Sequence, residues 1–201
     1  MSTASLSRRD VITSLAEEIL HHYGRGRVIV GVDGLDGSGT SAFAADLVAR
    51  LWKRGHAAFH ARMQDFRTPP DRRVADGTAP GPDRYGDAFD VSAFRRVLVE
   101  PFRLAGSTGF VAAFWDEERD QPVEPKWLTA PDDAILVVDG AFLQRPDIRD
   151  IFSYTVWLQG GEASDAIATR YLKDAKPAER ADAVYDDTDS AHPRRVFSDS
   201  C

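Results

Sequence analysis

The segment Gly34-Leu35-Asp36-Gly37-Ser38-Gly39-Thr40-Ser41 decides the fold of this chain. The apolar run 28–32 before it predicts a buried strand, and the residues after it predict a helix with one apolar face at Phe43, Leu47, Val48 and Leu51. Glycines between a strand and a helix allow backbone N–H groups to turn inward at the helix N-terminus, where the helix dipole favours an anion. The spacing fits the phosphate-binding motif G-x-x-x-x-G-K-S/T, except that Thr40 stands at the lysine position. We therefore predict a P-loop without its lysine.

Two other interpretations of the glycine segment are weaker. A plain glycine-rich turn does not need the strand and the helix that flank it. A dinucleotide-binding loop needs G-x-G-x-x-G, whereas the glycines here run Gly34-x-x-Gly37-x-Gly39. The missing ammonium bridges the β- and γ-phosphates in P-loop enzymes, and losing one such preorganised donor raises the activation free energy by roughly 3 to 4 kcal/mol. Backbone anion binding survives that loss, so the expected phosphate-binding residues are Gly34, Gly37, Ser38, Gly39, Thr40 and Ser41.

Strands and helices alternate along the rest of the chain. The N-terminal region 1–26 is predicted as a helix that Ser7 caps and Gly24 ends. Residues 67–88 are rich in Pro, Gly, Arg and Asp and predict a long surface loop. Further strands are expected at 57–63, 110–115, 134–138, 154–158 and 183–185, and further helices at 91–104 and 163–172. The pattern predicts a single α/β domain over residues 1–201, with a mostly parallel sheet covered by helices on both faces.

Composition and charge restrict the classes of partner. The chain has 201 residues and a net charge of −7, so we expect no binding to nucleic acid. No apolar run approaches the length of about 18 residues that a membrane span needs, and the N-terminus lacks the apolar core of a secretion signal. The single cysteine, Cys201, cannot form an internal disulfide, which fits a reducing cytoplasm. We expect a cytoplasmic protein with a small-molecule ligand; the oligomeric state stays open, with a homodimer as one candidate.

Several further segments follow the P-loop in a fixed order. They are Gln64-Asp65-Phe66-Arg67, Tyr85-Gly86-Asp87-Ala88-Phe89-Asp90, Trp115-Asp116, Val138-Asp139-Gly140-Ala141-Phe142-Leu143 and Tyr185-Asp186-Asp187-Thr188-Asp189. Together with V-D-G-L-D-G-S-G at 32–39, their order and spacing resemble the uridine kinase and phosphoribulokinase group of P-loop kinases, above all the uridine-kinase-like proteins of actinobacteria. The resemblance covers residues 28–195. It implies the three-layer P-loop kinase fold, with ATP and Mg²⁺ as the cofactors of an intact member.

The resemblance implies a general base that this chain has lost. In such kinases an aspartate of the segment D-x-F-H/Y takes the proton of a sugar hydroxyl, and alignment on Phe66 places Gln64 at that position. An amide cannot accept a proton usefully. Asp65 is adjacent, but successive strand residues point to opposite faces, so Asp65 could act as the base only after a shift of one residue. Its alternative role is that of a solvated loop carboxylate.

Two other carboxylates keep the positions that the family uses. Asp139 follows the strand expected at 134–138, where the family holds magnesium through water, and Ser41 supplies the magnesium-binding hydroxyl of the P-loop. Both are therefore candidate Mg²⁺ ligands if the metal is retained. Asp90 resembles the aspartate that holds ribose hydroxyls, and its alternative role is the N-cap of the helix expected from Val91.

Aromatic and basic residues complete the candidate substrate site. Tyr85 and Trp115 could face a base or another flat group, with a core position as the alternative for Trp115. A substrate phosphate could receive positive charge from the arginines of the predicted long loop, which are Arg67, Arg72, Arg73 and Arg84.

The closing lid of the family is the third part that has changed. In the family, a segment with several arginines lies between the fourth strand and the D-N-T-D-like segment. Here residues 159–182 have room for one short helix and a turn. Arg170 and Arg180 remain there, but a full lid, which would exclude water and bring arginines to the transferred phosphate, does not fit.

Three functional hypotheses follow from these departures. The first is a repurposed uridine-kinase-like protein that binds a small nucleoside-like or phosphorylated ligand and catalyses, if anything, a different reaction. The second is an active nucleoside-type kinase that transfers the ATP γ-phosphate to a hydroxyl. The third is a non-catalytic pseudokinase that acts as a partner protein. Loss of lysine, base and lid together favours the first.

Overall fold

A mostly parallel sheet with helices on both faces forms the described part of the chain. The computed structural model describes residues 6–68, 89–116, 119, 121–163 and 166–197. The predicted surface loop 67–88 therefore lies almost wholly outside the described residues. The same holds for Tyr85, Arg72, Arg73, Arg84 and Cys201.

The helices are short apart from those nearest the P-loop. They are α1 (Arg8–Tyr23), α2 (Thr40–Lys53), α3 (Val91–Phe94), α4 (Glu100–Leu104), α5 (Ala166–Ala175) and α6 (Pro177–Arg180). A π-helical turn, Arg95–Val99, joins α3 to α4, and 3₁₀ turns occur at Met63–Phe66 and Arg149–Ile151. The strands are β1 (Val28–Gly34), β2 (Ala58–Arg62), β3 (Phe110–Val111), β4 (Trp115–Asp116), β5 (Gln121–Pro122), β6 (Trp127–Leu128), β7 (Ile135–Gly140), β8 (Tyr154–Gln159), β9 (Ala183–Asp186) and β10 (Arg194–Val196).

The central sheet has six strands in the order β10-β9-β8-β1-β7-β2. All neighbouring pairs are parallel except β10 with β9, which are antiparallel. β1 lies between β8 and β7, with Val32 opposite both Val156 and Asp139. Because parallel strands end at the same edge, the carboxyl ends of β1, β7 and β2 come together, and ligands of open α/β sheets bind at that edge.

Successive side chains of the buried strands point to opposite faces of the sheet, so each face has its own hydrophobic core. Val28, Val30 and Val32 of β1 face α1 and α2 and are at most 4% exposed. Ile29 of β1 points the other way, into a second core on the face that α3 and α4 cover. Apolar side chains therefore cover both faces of β1, as the uninterrupted apolar run predicts for a parallel strand. The expected three-layer α/β fold is confirmed.

The predicted N-terminal helix is confirmed at both ends. Ser7 is its N-cap, with Oγ accepting a hydrogen bond from the backbone N–H of Asp10 at 3.3 Å, and Gly24 follows its last residue. Val11, Leu15 and Ile19 fill one face of α1 against the sheet core. The helix thus packs beside α2 and covers the same face of the sheet.

Two predictions on the sheet are wrong. Residues 110–115 do not form one strand but the separate strands β3 and β4, which pair with β6 and β5 in two small antiparallel sheets. The edge strand β10 was not predicted, because it has three residues and two of them are arginines. The helix expected at 163–172 forms three residues later, as α5.

The segment between β8 and β9 confirms that the lid is shortened. Its described residues form only α5 and α6. α5 buries Ala168, Tyr171 and Ala175 against Leu35 and Trp157 and is thereby part of the core. Arg170 of this helix pairs with Asp174 at 3.3 Å, and Arg180 is exposed at the end of α6. Among the described helices none is long and apolar enough to cross a membrane.

Phe102 provides a test of the second core. It is fully buried in α4 and packs edge-to-face on Phe110, with ring centroids 5.4 Å apart. Phe102→Ala should lower the free energy of unfolding by about 3 to 5 kcal/mol in urea denaturation, because it removes a large buried ring and leaves a cavity. Leu104→Ala is the matched control, since Leu104 is 72% exposed two residues later and should change stability by less than about 0.5 kcal/mol. Equal losses in the two variants would contradict this packing.

Candidate functional site

The P-loop has the backbone conformation that an anion cradle needs. Gly37 and Gly39 have φ values of 82° and 80°, in the left-handed region that glycine adopts without strain. The backbone N–H of Ser38 donates to the carbonyl of Leu35 at 3.0 Å and closes the turn. Gly39 is the N-cap of α2 and Thr40 its first residue. The free N–H groups of the first helical turn therefore point to the carboxyl edge of the sheet, where the helix dipole favours negative charge.

Tight packing supports the loop from below and from the side. Ser38 is 5% exposed, and its Oγ has no hydrogen-bond partner among the described residues. A Cβ added at Gly161 would lie 2.8 Å and 2.9 Å from the carbonyl oxygens of Leu35 and Asp36. Only glycine fits at position 161, so the chain that leaves β8 braces the loop. This contact was not predicted; its local signal is the pair Gly160-Gly161 directly after a strand.

Ser41 and Asp139, the two candidate Mg²⁺ ligands, are in direct contact. The hydroxyl of Ser41 donates to Oδ2 of Asp139 at 2.6 Å. Asp139 is 3% exposed at the carboxyl end of β7, next to β1. Its other oxygen, Oδ1, lies 2.6 Å from Nε2 of His60 on β2. His60 was not predicted; its only local signal is that it alternates with Arg62 along a strand that ends at the site.

The donor set fits magnesium only together with phosphates and water. A hydroxyl and a carboxylate are oxygen ligands of the kind that Mg²⁺ prefers, and this metal usually keeps several waters and binds substrate phosphates. Within the described residues no group of three or more His, Cys, Asp or Glu side chains could hold a metal ion by itself. Ser41 and Asp139 would therefore hold Mg²⁺ as part of a metal–phosphate complex, in which the metal would neutralise phosphate charge.

Gln64 and Asp65 lie in a 3₁₀ turn, not in a strand. The expectation that they point to opposite faces of a strand is therefore wrong, because β2 ends at Arg62. Asp65 is 9% exposed and accepts two hydrogen bonds from Arg62, at 3.1 Å from Nε and 2.6 Å from Nη2. Gln64 is exposed. The carboxylate nearest the base position is thus held in an ion pair, while an amide occupies the base position itself.

A cavity of about 420 Å³ opens beside this turn. It is lined by Arg62, Gln64, Asp65, Ala113, Trp115, Asp116 and Val123. Trp115 is 7% exposed, so the core position considered for it from the sequence is correct, yet it also forms part of this wall. Its indole Nε1 has no hydrogen-bond partner within the described part of the chain. A polar ligand bound here would contact an ion pair, an amide and one aromatic side chain.

Asp90 caps a helix, as its alternative role required. Its Oδ1 accepts a hydrogen bond from the backbone N–H of Ala93 at 2.8 Å, at the start of α3. Arg67 pairs through an isolated bridge with Phe89, which brings it close to Asp90 in the fold. The sugar-binding role of Asp90 and the phosphate-binding role of Arg67 stay predictions. The expected contribution of Tyr85 lies outside the described residues.

A buried carboxylate beneath the loop was also missed. Asp33 is 0% exposed on β1 and accepts hydrogen bonds from the amide Nε2 of Gln144 at 3.2 Å, the backbone N–H of Leu143 at 3.3 Å and the hydroxyl of Tyr171. Burial raises the pKa of Asp33 to about 6, although these three hydrogen bonds act in the opposite direction. Burial also raises the pKa of the Tyr171 hydroxyl. The network ties β1, the segment after β7 and α5 together directly below the P-loop.

The raised pKa of Asp33 predicts that the free energy of unfolding depends on pH. The folded-state pKa of about 6 lies above the ordinary value of 3.8 for an aspartate, so folding favours the protonated form, and the stability that this form contributes is lost as pH rises. Between pH 4 and pH 6 the wild-type protein should lose roughly 2 to 3 kcal/mol of unfolding free energy relative to Asp33→Asn. Urea denaturation of both proteins at several pH values measures this difference, in which carboxylates common to both proteins cancel. A difference that does not vary with pH would contradict the assignment.

Comparison with solved structures identifies the fold. A possible uridine kinase from Bacillus stearothermophilus matches with a TM-score of 0.75 and 27% identity, over 89% of this chain and 98% of that protein. A candidate fructose transport system kinase from Silicibacter sp. TM1040 matches with a TM-score of 0.61 and 20% identity, over 85% of this chain and 94% of that one.

A weaker match has the same fold as these two structures. The YGR205w protein matches with a TM-score of 0.54 and 14% identity, over 76% of this chain and 70% of that protein. The second and third likenesses show the fold alone. No protein-family model and no curated protein sequence matches the chain. The fold, and the likeness to the first structure over nearly its whole length, support the resemblance seen in the sequence: the chain has a P-loop kinase-like fold and is similar to a possible uridine kinase.

Proposed function

We propose that this protein is a repurposed uridine-kinase-like protein that binds a small phosphorylated or nucleoside-like ligand at its P-loop in the cytoplasm, without ordinary ATP-dependent phosphoryl transfer. Any chemistry that it performs differs from that of a kinase. The ligand is a small molecule and not a nucleic acid, in keeping with the net charge of −7.

One observation carries this proposal: the P-loop keeps its anion-binding backbone although the positively charged lysine of the motif is absent. Gly37 and Gly39 keep their left-handed backbone and α2 begins at the sheet edge, while its first residue is Thr40. Backbone N–H groups can bind an anion in the ground state without the lysine. The hydroxyl of Thr40 cannot, however, stabilise the charge that develops as a phosphoryl group moves. The site therefore favours binding over transfer.

The surroundings of the cradle support the same conclusion. Gln64 cannot act as a base, and Asp65 is engaged by Arg62 through two hydrogen bonds. α5 is packed into the core by Tyr171, so it cannot close over a ligand without breaking that core.

The retained groups suggest how a ligand is held. Its anionic group would lie on the N-terminus of α2, with the Ser41 hydroxyl and Asp139 at one side. The remainder would extend toward the cavity beside Asp65 and Trp115, along the edge formed by β1, β7 and β2. A polar ligand of nucleoside size suits a cavity of about 420 Å³.

An active nucleoside-type kinase is the second candidate. The contact of Ser41 with Asp139 favours it, because this pair is what a magnesium–phosphate complex requires. Asp65 in the wall of the cavity favours it too, if a bound substrate displaces Arg62 from the carboxylate. This candidate predicts turnover at kinase rates.

A pseudokinase that only binds a partner protein has less support. Such a protein would be expected to expose an apolar patch where the lid was lost. The large apolar side chains exposed in the described part of the chain are Leu6, Trp52, Leu104, Trp127, Val196 and Phe197, and none of them lies between β8 and β9.

Binding of inorganic pyrophosphate tests whether the P-loop is an anion site. Wild-type protein should bind pyrophosphate in isothermal titration calorimetry, and Gly39→Val should abolish that binding. Gly39 has a φ of 80°, and a Cβ there would lie 3.4 Å from Oδ2 of Asp187, so valine distorts the cradle.

Gly55→Val is the matched control. Gly55 lies just beyond the other end of α2 with a φ of 86° and open space around its Cβ position. It carries a similar backbone strain far from the cradle, so it should lose stability and keep pyrophosphate binding. Equal affinity in all three proteins, or no binding by the wild type, would refute the proposal.

A further inference from the structure

Arg8 connects the N-terminal helix to the end of the sheet where the P-loop lies. Its Nε donates to Asp46 of α2 at 2.6 Å, and its Nη1 donates to both oxygens of Asp187, at 3.0 Å and 3.2 Å. Its guanidinium carbon lies 5.5 Å from the ring centroid of Phe43, and its backbone N–H donates to the carbonyl of Ala191 at 2.8 Å. Four of these contacts fix the guanidinium, and the backbone contact fixes the first residue of α1.

Asp187 lies directly beside the P-loop. It follows β9, its side chain is 3% exposed, and its Oδ2 is 3.4 Å from the position that a Cβ of Gly39 would take. Gly39 is the N-cap of α2, whose free N–H groups form the anion cradle. Burial raises the pKa of Asp187, and the guanidinium of Arg8 acts in the opposite direction.

A carboxylate at this position opposes anion binding. The N-terminus of a helix carries a partial positive charge equivalent to about +0.5, so one unpaired negative charge beside it would outweigh the dipole. A like charge several ångströms from a bound phosphate weakens binding about five- to thirtyfold at the effective dielectric of a partly buried site. The paired guanidinium cancels most of that repulsion.

We infer that Arg8 is a positioning residue of the P-loop site, which sets its affinity for anions by neutralising Asp187. The N-terminal helix is then a functional part of the ligand site. When it is docked, Arg8 neutralises Asp187 and the helix dipole of α2 attracts an anion; when it is not docked, the unpaired carboxylate of Asp187 repels one. This inference rests on the proposed function, since it concerns the anion affinity of the same loop.

Pyrophosphate affinity, measured by calorimetry at low ionic strength, tests the inference. Arg8→Met should weaken binding about five- to thirtyfold, which is the fold-change expected for one unpaired charge at this distance. Asp187→Asn should strengthen binding, because Arg8 then adds positive charge without a carboxylate next to it. The double variant Arg8→Met with Asp187→Asn should return to within about twofold of the wild type, and Arg8→Lys should stay close to the wild type because it keeps the charge.

Two control variants separate the effect of the Arg8 charge on affinity from the effect of loosening the docked helix α1. Arg9→Met removes a neighbouring exposed arginine and should leave the affinity unchanged. Val11→Ala loosens the packing of α1, since Val11 is 6% exposed in the core, and should lower the melting temperature without a comparable loss of affinity.

The outcomes distinguish this inference from the proposed function. If wild-type protein binds pyrophosphate but neither Arg8→Met nor Asp187→Asn changes the affinity, the inference is wrong and the proposed function stands. If Arg8→Met does not fold, the affinity of Asp187→Asn decides alone, because a purely structural pair predicts no increase on removing the carboxylate. If the wild type binds no pyrophosphate, both are wrong.

Discussion

The left-handed backbone at Gly37 and Gly39 is the constraint on which the rest of the site depends. It turns the chain from β1 into α2 within a few residues and leaves the first N–H groups of the helix at the carboxyl edge of the sheet. Parallel pairing of β1 with β7 then brings Asp139 to Ser41. The close packing of Gly161 and the hydrogen bonds of Asp33 also hold the P-loop in place, although neither residue is part of the anion cradle.

Pairing of charges explains how a loop surrounded by carboxylates can remain an anion site. Asp139 contacts His60, Asp65 is held by Arg62, and Asp187 is held by Arg8. Each of these three carboxylates therefore has a basic side chain at hydrogen-bond distance. With these charges paired, the helix dipole and the backbone N–H groups dominate the field at the loop. A kinase needs in addition a charge that follows the moving phosphoryl group, and Thr40 does not supply it.

Local patterns predicted the elements that are buried on both faces and the loop that joins them. β1, β7 and β8 are apolar runs that need no partner to be recognised, and the glycine spacing fixes the turn into α2. Strands β3 and β4 were merged because each has two residues and exists only through pairing with a different later strand, β6 for β3 and β5 for β4. The site contacts that were missed join residues far apart: 79 positions separate His60 from Asp139, and 179 separate Arg8 from Asp187. No local pattern carries such contacts.

The rate of γ-phosphoryl transfer from Mg-ATP to nucleosides and sugars should be measured for wild type and for Thr40→Lys, because it shows directly whether this P-loop supports transfer. Ordinary kinases turn over at about 1 to 100 per second. We expect wild type to be at least about a hundredfold slower than this range, and Thr40→Lys not to restore the rate because Gln64 and the core-packed α5 remain. Wild-type turnover within the range of ordinary kinases would contradict the account.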